Sequence, residues 1–374
     1  MPKTLAEQLA AIRHLDVLLE GTRVGTLATT RSGLAAFEYA PEWLASGYSI
    51  SPLSLPLRPG LFEASADAPD GLFGVFRDSL PDDWGRLLQD RMLAKLGVKV
   101  GSLSALARLS LVGSSGLGAL EYAPYWQLGE RASSNDWDLL SQQCQRLLEG
   151  ETADSLDDIY ARGSSSGGAR PKVMVDLEGK PWIVKFPARF DDPDSGAHEY
   201  ELARLAKACG IIVPEVRLVR SRICKGYFAT KRFDRTCDDR GAVRKVHMAS
   251  AAALLEASPY DVMDYRDLMQ LTLELTGNVA DCEQLFRVMY FNVAVGNCDD
   301  HARNFSYLYE NGAWRLSPAY DLTKDEGFLG EHATLVNGKG SAIEESDLLS
   351  VGAAGAISAR KGREIIRQIA RATI

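Results

Sequence analysis

Cysteine is scarce and scattered: the six are Cys144, Cys209, Cys224, Cys237, Cys282 and Cys298, and no two form a C-x-x-C pair. That excludes a thiolate metal knuckle and a dithiol redox pair, and it fits a chain kept in a reducing compartment. No stretch approaches the about 18 uninterrupted apolar residues of a bilayer crossing, and Met1 to Ile12 lacks the apolar core of a signal peptide. The expectation is a soluble, cytoplasmic protein with no membrane partner. Basic charge is not in excess either. Lys and Arg number 42 against 50 Asp and Glu, a net charge of −8, so the chain as a whole has no attraction to nucleic acid or an anionic surface.

What is present is ordinary globular material. Apolar residues make up 46% and charged residues 25% of 374, which excludes wholesale disorder, collagen and coiled coil. That length suggests two or three domains. Residues 1–125 read as short strands cut by Gly and Pro: Val17–Leu19, Thr26–Thr29 and Ala35–Tyr39. Pro52, Pro56 and Pro59 suggest an extended stretch. Helices are expected over Asp83–Leu96 and over Asp136–Leu148, the latter capped by Ser134 or Asn135. Residues 126–235 then hold a Ser/Gly run, strands at Lys172–Asp176 and Trp182–Phe186, a helix at His198–Cys209 and strands at Val216–Arg220 and Tyr227–Phe233. Residues 236–374 read as mostly helical, through Asp264–Thr276, Glu283–Gly296 and Ile357–Thr373.

The strongest chemical signal is Asn297-Cys298-Asp299-Asp300-His301-Ala302-Arg303-Asn304, followed by Asn311-Gly312 between two apolar-aromatic runs and by Asp321. Asn-Gly there predicts a two-residue hairpin, because a type I′ turn needs positive φ at both positions. Glu310 then pairs with Ala313, Asn304 opposes Ala319 and Asp321 faces Ala302. With strands roughly 5 Å apart, Asp321 returns to the neighbourhood of Asp299 and Asn304. Two carboxylates and an amide oxygen form a hard-oxygen site suited to Mg²⁺. Protein kinases use this order: the first Asp accepts the substrate hydroxyl proton, and the Asn and later Asp hold metal against the phosphates. The plainer reading is three polar loop residues at a hairpin mouth.

A second signal is Lys185 inside the apolar run Trp182–Phe186. A buried Lys needs a partner, and in kinases it meets nucleotide phosphates and a helix Glu. The following helix offers Glu199 and Glu201, of which Glu199 sits nearer the apolar stripe. The plainer reading is an edge-strand Lys facing solvent. A third signal is Gly163–Lys172 (GSSSGGARPK), whose small residues let backbone N–H groups approach phosphate. It is not a Walker loop. It matches G-x-S-x-G, but the strand–turn–helix context of a nucleophile elbow is missing, since Pro171 and a β-rich run follow. A flexible linker is the plainer reading. The order of loop, strand Lys, helix Glu, Asp, Asn and Asp outweighs those separate plain readings.

Ser166–Lys172, Trp182–Pro187, His198–Gly210, Thr230–Arg235, Asp299–Ser306 and Ser317–Leu322 together resemble the HipA-type serine/threonine kinases, the toxins of bacterial toxin–antitoxin pairs. Phe76–Trp84 resembles the family's first subdomain, so the likeness spans nearly the whole chain. It implies an α+β, bilobal protein-kinase-like fold with an N-terminal β-rich subdomain and a mostly helical C-terminal lobe. It further implies ATP and Mg as cofactors and Asp299 as catalytic base, with Asn304 and Asp321 as metal ligands. Lys185 and the loop residues Ser166, Gly167 and Gly168 would meet the nucleotide, Lys231–Phe233 would form the hinge beside adenine, and His301 would lie near the nucleotide. Glu199 would pair with Lys185. Autophosphorylation would fall on Ser165, with Ser164 and Ser166 as neighbours. Family substrates are serines of aminoacyl-tRNA synthetases. The usual partner is a helix-turn-helix antitoxin, through which DNA would be met only indirectly. Asp300 stands where the family often has Gly, and Lys231 where an acid is usual.

Two other functions stand as alternatives: a small-molecule kinase of the aminoglycoside or choline type, and a catalytically silent antitoxin- or DNA-binding module. Arg360, Arg363, Arg367 and Arg371 share one helix face that could touch DNA phosphate, though a solvated face explains them more simply. His14, His198, His247 and His332 lack ligand spacing, and Tyr307, Tyr309 and Trp314 fit cross-strand packing.

Overall fold

The computed structural model describes residues 3–131, 136–237, 241–258 and 261–373; the cap candidates Ser134 and Asn135 lie outside them. The chain forms two compact units, Met1–Gly196 with Leu218–His247, and Ala197–Arg217 with Met248–Ile374.

In the first unit a five-stranded antiparallel sheet runs in the order Leu61–Glu63, Ala35–Tyr39, Thr22–Thr29, His14–Leu19, Leu120–Ala123. Its alternation buries Leu15, Val17, Val24, Leu27, Phe37 and Tyr39. The stretch from Pro52 to Pro59 is not extended as its prolines suggest. The Leu55 N–H donates to the Ser51 carbonyl at 2.7 Å and closes a turn, because a fixed φ suits turn corners as well as extended chain. A four-stranded sheet follows in the order Lys172–Leu177, Lys180–Lys185, Tyr227–Lys231, Val216–Val219. Val173, Val175, Trp182 and Val184 on one face of it pack with Trp84, Leu88 and Met92 of the helix Asp83–Lys95 and with Cys144 and Leu147 of the helix Trp137–Leu148. The Asp136 carboxylate caps that last helix through the Leu139 N–H.

The second unit is mostly helical, with Tyr265–Thr276, Val279–Val295, Glu345–Ala354 and Ala359–Thr373. Val279–Val295 begins a turn before the expected Glu283, because the Asn278 side chain accepts from the Ala280 N–H and caps it there. Gly296, at φ 70°, ends it in the left-handed conformation. The hairpin Ser306–Glu310 with Ala313–Leu316 has the expected register, from Glu310↔Ala313 to Tyr307↔Leu316. Asn311 and Gly312 have φ of 51° and 79°, as a type I′ turn requires. The register does not continue to Asp321, however. Its last bond is Ser317 N–H to the Ser306 carbonyl at 2.9 Å, and the Ala319 N–H donates to Ile212 instead. Pro318 has no N–H to extend the ladder, and Ala302–Asn304 forms a short 3₁₀ turn, so the pairs Asn304–Ala319 and Ala302–Asp321 do not form. Among the described residues no helix is long and apolar enough to cross a membrane.

Candidate active site

The segment 297–304 leaves the end of helix Val279–Val295 and is held from both sides by backbone. The Cys298 N–H donates to the Asp325 carbonyl and the Ala333 N–H donates to the Cys298 carbonyl, each at 3.0 Å. Beneath it lies a buried polar chain. Asn297 Nδ2 donates to Asn292 Oδ1 at 3.0 Å, Asn292 Nδ2 to the Tyr265 hydroxyl at 3.0 Å, and that hydroxyl to Asp300 Oδ2 at 2.8 Å. His332 Nδ1 meets the same oxygen at 2.9 Å, while the Thr334 N–H donates to Asp300 Oδ1 at 3.2 Å. Burial, with Asp300 adding to it, pushes the Tyr265 hydroxyl well above its ordinary pKa, so it stays a donor. A carboxylate with no exposed side-chain surface is tolerable only with such partners.

One residue earlier the environment inverts. The Asp299 side chain is 54% exposed, with His301 Nε2 at 3.7 Å. Asn304 Nδ2 donates to the Asp299 carbonyl at 2.8 Å, which leaves the amide oxygen as the atom suited to a cation. The Asn304 N–H closes the turn on the His301 carbonyl at 2.8 Å. Tyr320 ties the next segment to this one: its hydroxyl donates to the Arg303 carbonyl at 2.7 Å and lies 2.6 Å from Ser306 Oγ. Asp321 follows directly, at φ 55°. A non-glycine residue in that region stores about 1 kcal/mol or more, and such outliers gather at functional sites. Among the described residues no three His, Cys, Asp or Glu converge on one point. The oxygens that this segment could offer a hard divalent ion are the Asn304 amide oxygen and the Asp321 carboxylate, and phosphate oxygens and water would have to complete its shell, the usual manner of Mg²⁺.

The remaining predicted residues lie in the first unit, apart from Glu199. Lys185 is buried at the end of strand Lys180–Lys185, with its ammonium 5.5 Å from the Phe228 ring centre. In the second unit Glu199 is buried on helix Ser195–Ala208, whereas Glu201 is exposed. Lys231 stands opposite Trp182 in the sheet, and Phe233 follows it, half-buried. Asp234, next in the chain, is buried between Arg232 (2.7 Å) and Arg235 (2.8 Å). Burial raises its carboxyl, yet the two guanidinium groups hold it below the ordinary value.

The Ser/Gly loop is neither open nor a free linker. Ser164, Ser165 and Ser166 are all buried. The Ser165 hydroxyl donates to the Ser115 carbonyl at 2.9 Å and the Ser166 hydroxyl to Gly163 at 2.6 Å. The Gly168 N–H donates to Asp82 Oδ2 at 3.0 Å, and Lys172 Nζ reaches the Gly167 carbonyl. The Trp84 indole N–H donates to the Lys172 carbonyl at 3.0 Å. Gly85 is required there: a Cβ would lie 2.5 Å from the Ser166 carbonyl oxygen.

Sequence reasoning did not single out Asp82, Gly85, Ser115, Tyr265 or Thr334. Asp82 carries one recoverable sign: it occupies the N-cap of helix Asp83–Lys95 but makes no side-chain cap bond, its carboxylate being engaged by Gly168. The arginine-bearing helix Ala359–Thr373 buries Ile365, Ile366 and Ile369 and exposes its arginines, of which Arg363 pairs with Glu345 at 3.0 Å.

An exposed Asp, an Asn that braces it and an Asp in a left-handed turn are the parts with which protein-kinase-like folds bring a hydroxyl, a divalent ion and a nucleotide together. Comparison with known proteins gives the family. Residues 164–374 match the HipA-like C-terminal domain and residues 15–123 the HipA N-terminal domain; the chain belongs to the HipA family. The serine/threonine-protein kinase toxin HipA of Shewanella oneidensis MR-1 is 24% identical over 77% of this chain and 69% of its own. Y4mE of Sinorhizobium fredii is 29% identical over 83% of this chain and 77% of its own. A solved complex of HipA, HipB and operator DNA from Shewanella oneidensis MR-1 contains a chain of the same fold, with a TM-score of 0.72, 21% identity and coverage of 96% of this chain and 88% of that one. The fold is thus the kinase-like HipA fold.

Proposed function

We propose that this chain is an ATP- and Mg²⁺-dependent protein serine/threonine kinase that acts as a toxin. Its target would be a serine of a translation-related protein such as an aminoacyl-tRNA synthetase. The observation that carries the reading is the pairing of an exposed Asp299, backed by Asn304, with a left-handed Asp321 joined to the same segment through Tyr320. Asp299 would take the proton of the acceptor hydroxyl as the hydroxyl oxygen attacks the γ-phosphorus, the bond from that phosphorus to the β-phosphate oxygen breaks and ADP leaves. Asn304 and Asp321 would hold the ion, which would neutralise phosphate charge when bound. Lys185 would bind phosphates, joined by the backbone of Ser166, Gly167 and Gly168 once the Gly168 N–H leaves Asp82 and the Ser166 N–H leaves the Gly163 carbonyl, and Lys231–Phe233 would flank the adenine with His301 near the nucleotide. Glu199 orients Lys185. The loop serines, Ser165 first and then Ser164 and Ser166, are the sites of self-modification. A helix-turn-helix antitoxin is the regulatory partner, and DNA is met through it. The kinase name of the Shewanella relative supports the kinase reading, and the HipB and operator DNA in that relative's solved complex support the antitoxin reading.

The test is incubation of the purified chain with γ-labelled ATP and Mg²⁺, with and without chelator, followed by mass spectrometry. Phosphate on Ser164, Ser165 or Ser166 that the chelator abolishes is expected. No phosphate on any protein and no ATP binding would overturn the proposal.

A further inference from the structure

Seven residues beyond Asp321 the chain makes a tight turn with an apolar tip. Phe328 and Leu329 are 85% and 84% exposed. The Glu331 N–H donates to the Phe328 carbonyl at 3.2 Å, and the two residues form an isolated antiparallel bridge. Leu329 and Gly330 at the corner have φ of 58° and 76°. Asn or Gly satisfies a left-handed corner without strain, whereas a branched, bulky Leu does not. Here a strained conformation presents a large apolar side chain to water. Neither stability nor solubility accounts for that choice, and an outlier of this kind points to function.

The base of the turn belongs to the catalytic segment. Gly327 is packed so closely that a Cβ would lie 2.7 Å from Cys298 Cβ and 2.3 Å from the Glu331 carbonyl oxygen. Asp325 and Ala333, on its two sides, hydrogen-bond to Cys298, the residue before Asp299. The stem of the tip is thus packed against and hydrogen-bonded to the segment that carries the proposed base. Residues 324–331 are acidic on balance, with Asp325, Glu326 and Glu331 against Lys324.

We infer that Phe328 and Leu329 form a docking knob for the phosphoacceptor protein, inserting into an apolar recess whose rim is basic. The inference rests on the proposed kinase function and deepens it, because such a knob serves a folded protein substrate and has no use for a small alcohol. An aromatic anchor beside a branched aliphatic is the kind of element that carries interface energy, and the acidic turn complements the rim and steers encounter.

The test uses the full chain, Mg²⁺, γ-labelled ATP and a dilution series of desalted bacterial lysate as acceptor source. The initial rate of acceptor labelling is read for the wild type, for Phe328→Ser/Leu329→Asn and for Glu326→Lys/Glu331→Lys, with ATP affinity and melting temperature measured on each. The knob variant is expected to label acceptor at least tenfold more slowly in dilute lysate and to recover as the lysate is concentrated, with ATP affinity within twofold. The charge-reversed variant is expected to lose at least threefold, less at high salt. Equal labelling by wild type and knob variant at every dilution would overturn the docking role alone. A loss confined to self-labelling would assign the knob to a second copy of this chain and also overturn it. If the wild type labels nothing, the kinase reading fails and the knob with it.

Discussion

In the Ser/Gly loop of the first unit the candidate reactive groups face inward, and in the segment 297–304 of the second they face out. Ser165 and Ser166 are buried and donate to main-chain carbonyls, while Gly168 is held by Asp82. Asp299 is half exposed, and its support comes from beneath, through the carboxylate of Asp300 and the hydroxyl of Tyr265. The first loop is held by a handful of neutral or singly charged hydrogen bonds, each worth about 1 kcal/mol net. The second sits on a buried network that is costly to break. A rigid platform suits a base that must aim at an incoming hydroxyl. A loop held by modest bonds suits the proposed self-modification, in which the serines would have to leave their sockets before phosphate could reach them.

The sharpest way to break this comparison is to treat two neighbouring aspartates alike. Asp300→Ala strands the Tyr265 hydroxyl and the Thr334 N–H in the interior and is expected to cost about 3–5 kcal/mol in urea denaturation. Asp299→Ala, at an exposed site, is expected to stay within about 0.5 kcal/mol of the wild type. Similar losses from both would remove the distinction.

Next in size is an acid sensitivity of the first unit. Burial lowers the pKa of His247 to about 4 from an ordinary 6.5; its ring nitrogen Nε2 meets the Ile50 carbonyl at 2.8 Å. The unfolded chain binds a proton that the folded one refuses between those values, so stability falls as pH drops from 6.5 toward 4. The loss is on the order of 3 kcal/mol. Melting curves of wild type and His247→Gln across that window should converge at low pH, and parallel curves would contradict the assignment.

A smaller effect belongs to Asp82→Ala, which takes the acceptor from the Gly168 N–H. Amide exchange in residues 164–168 should rise about tenfold, equivalent to about 1.4 kcal/mol of local opening, with the rest of the unit unchanged. Uniform exchange across the unit would show that the loop is not separately held. The smallest expected change is Leu329→Asn, which relieves the left-handed corner and should add about 0.5 kcal/mol of stability. A loss there would mean that Leu329 packs rather than projects.

Much of this was legible in the sequence, for identifiable reasons. Asn311-Gly312 sets a turn type and hence a register, and it brought the Tyr307 and Tyr309 faces opposite Leu316 and Trp314. The rings of Tyr309 and Trp314 meet edge to face at 5.5 Å. The register could not be carried to Asp321, because Pro318 ends the ladder and Tyr320 replaces it with side-chain bonds to Arg303 and Ser306. What local pattern does not encode is partnership at long range. Asp82 and Gly168 are 86 positions apart, and Tyr265 and Asp300 are 35. Asp300 reads as one more loop carboxylate until the fold brings Tyr265, His332 and Thr334 around it. Helix Val279–Val295 starts a turn before the expected Glu283 for a milder reason: the Asn278 side chain caps it by accepting from the Ala280 N–H.

The measurement that bears most directly on the whole account is the rate of phosphoryl transfer from Mg-ATP to protein for the wild type beside Asp299→Asn, an isosteric change that removes the base and leaves the fold. A fall of roughly 10²- to 10⁴-fold, with ATP affinity and melting temperature held, is the predicted result. Transfer at the wild-type rate by Asp299→Asn would contradict the account, because the exposed aspartate on its buried platform would then have no part in the chemistry.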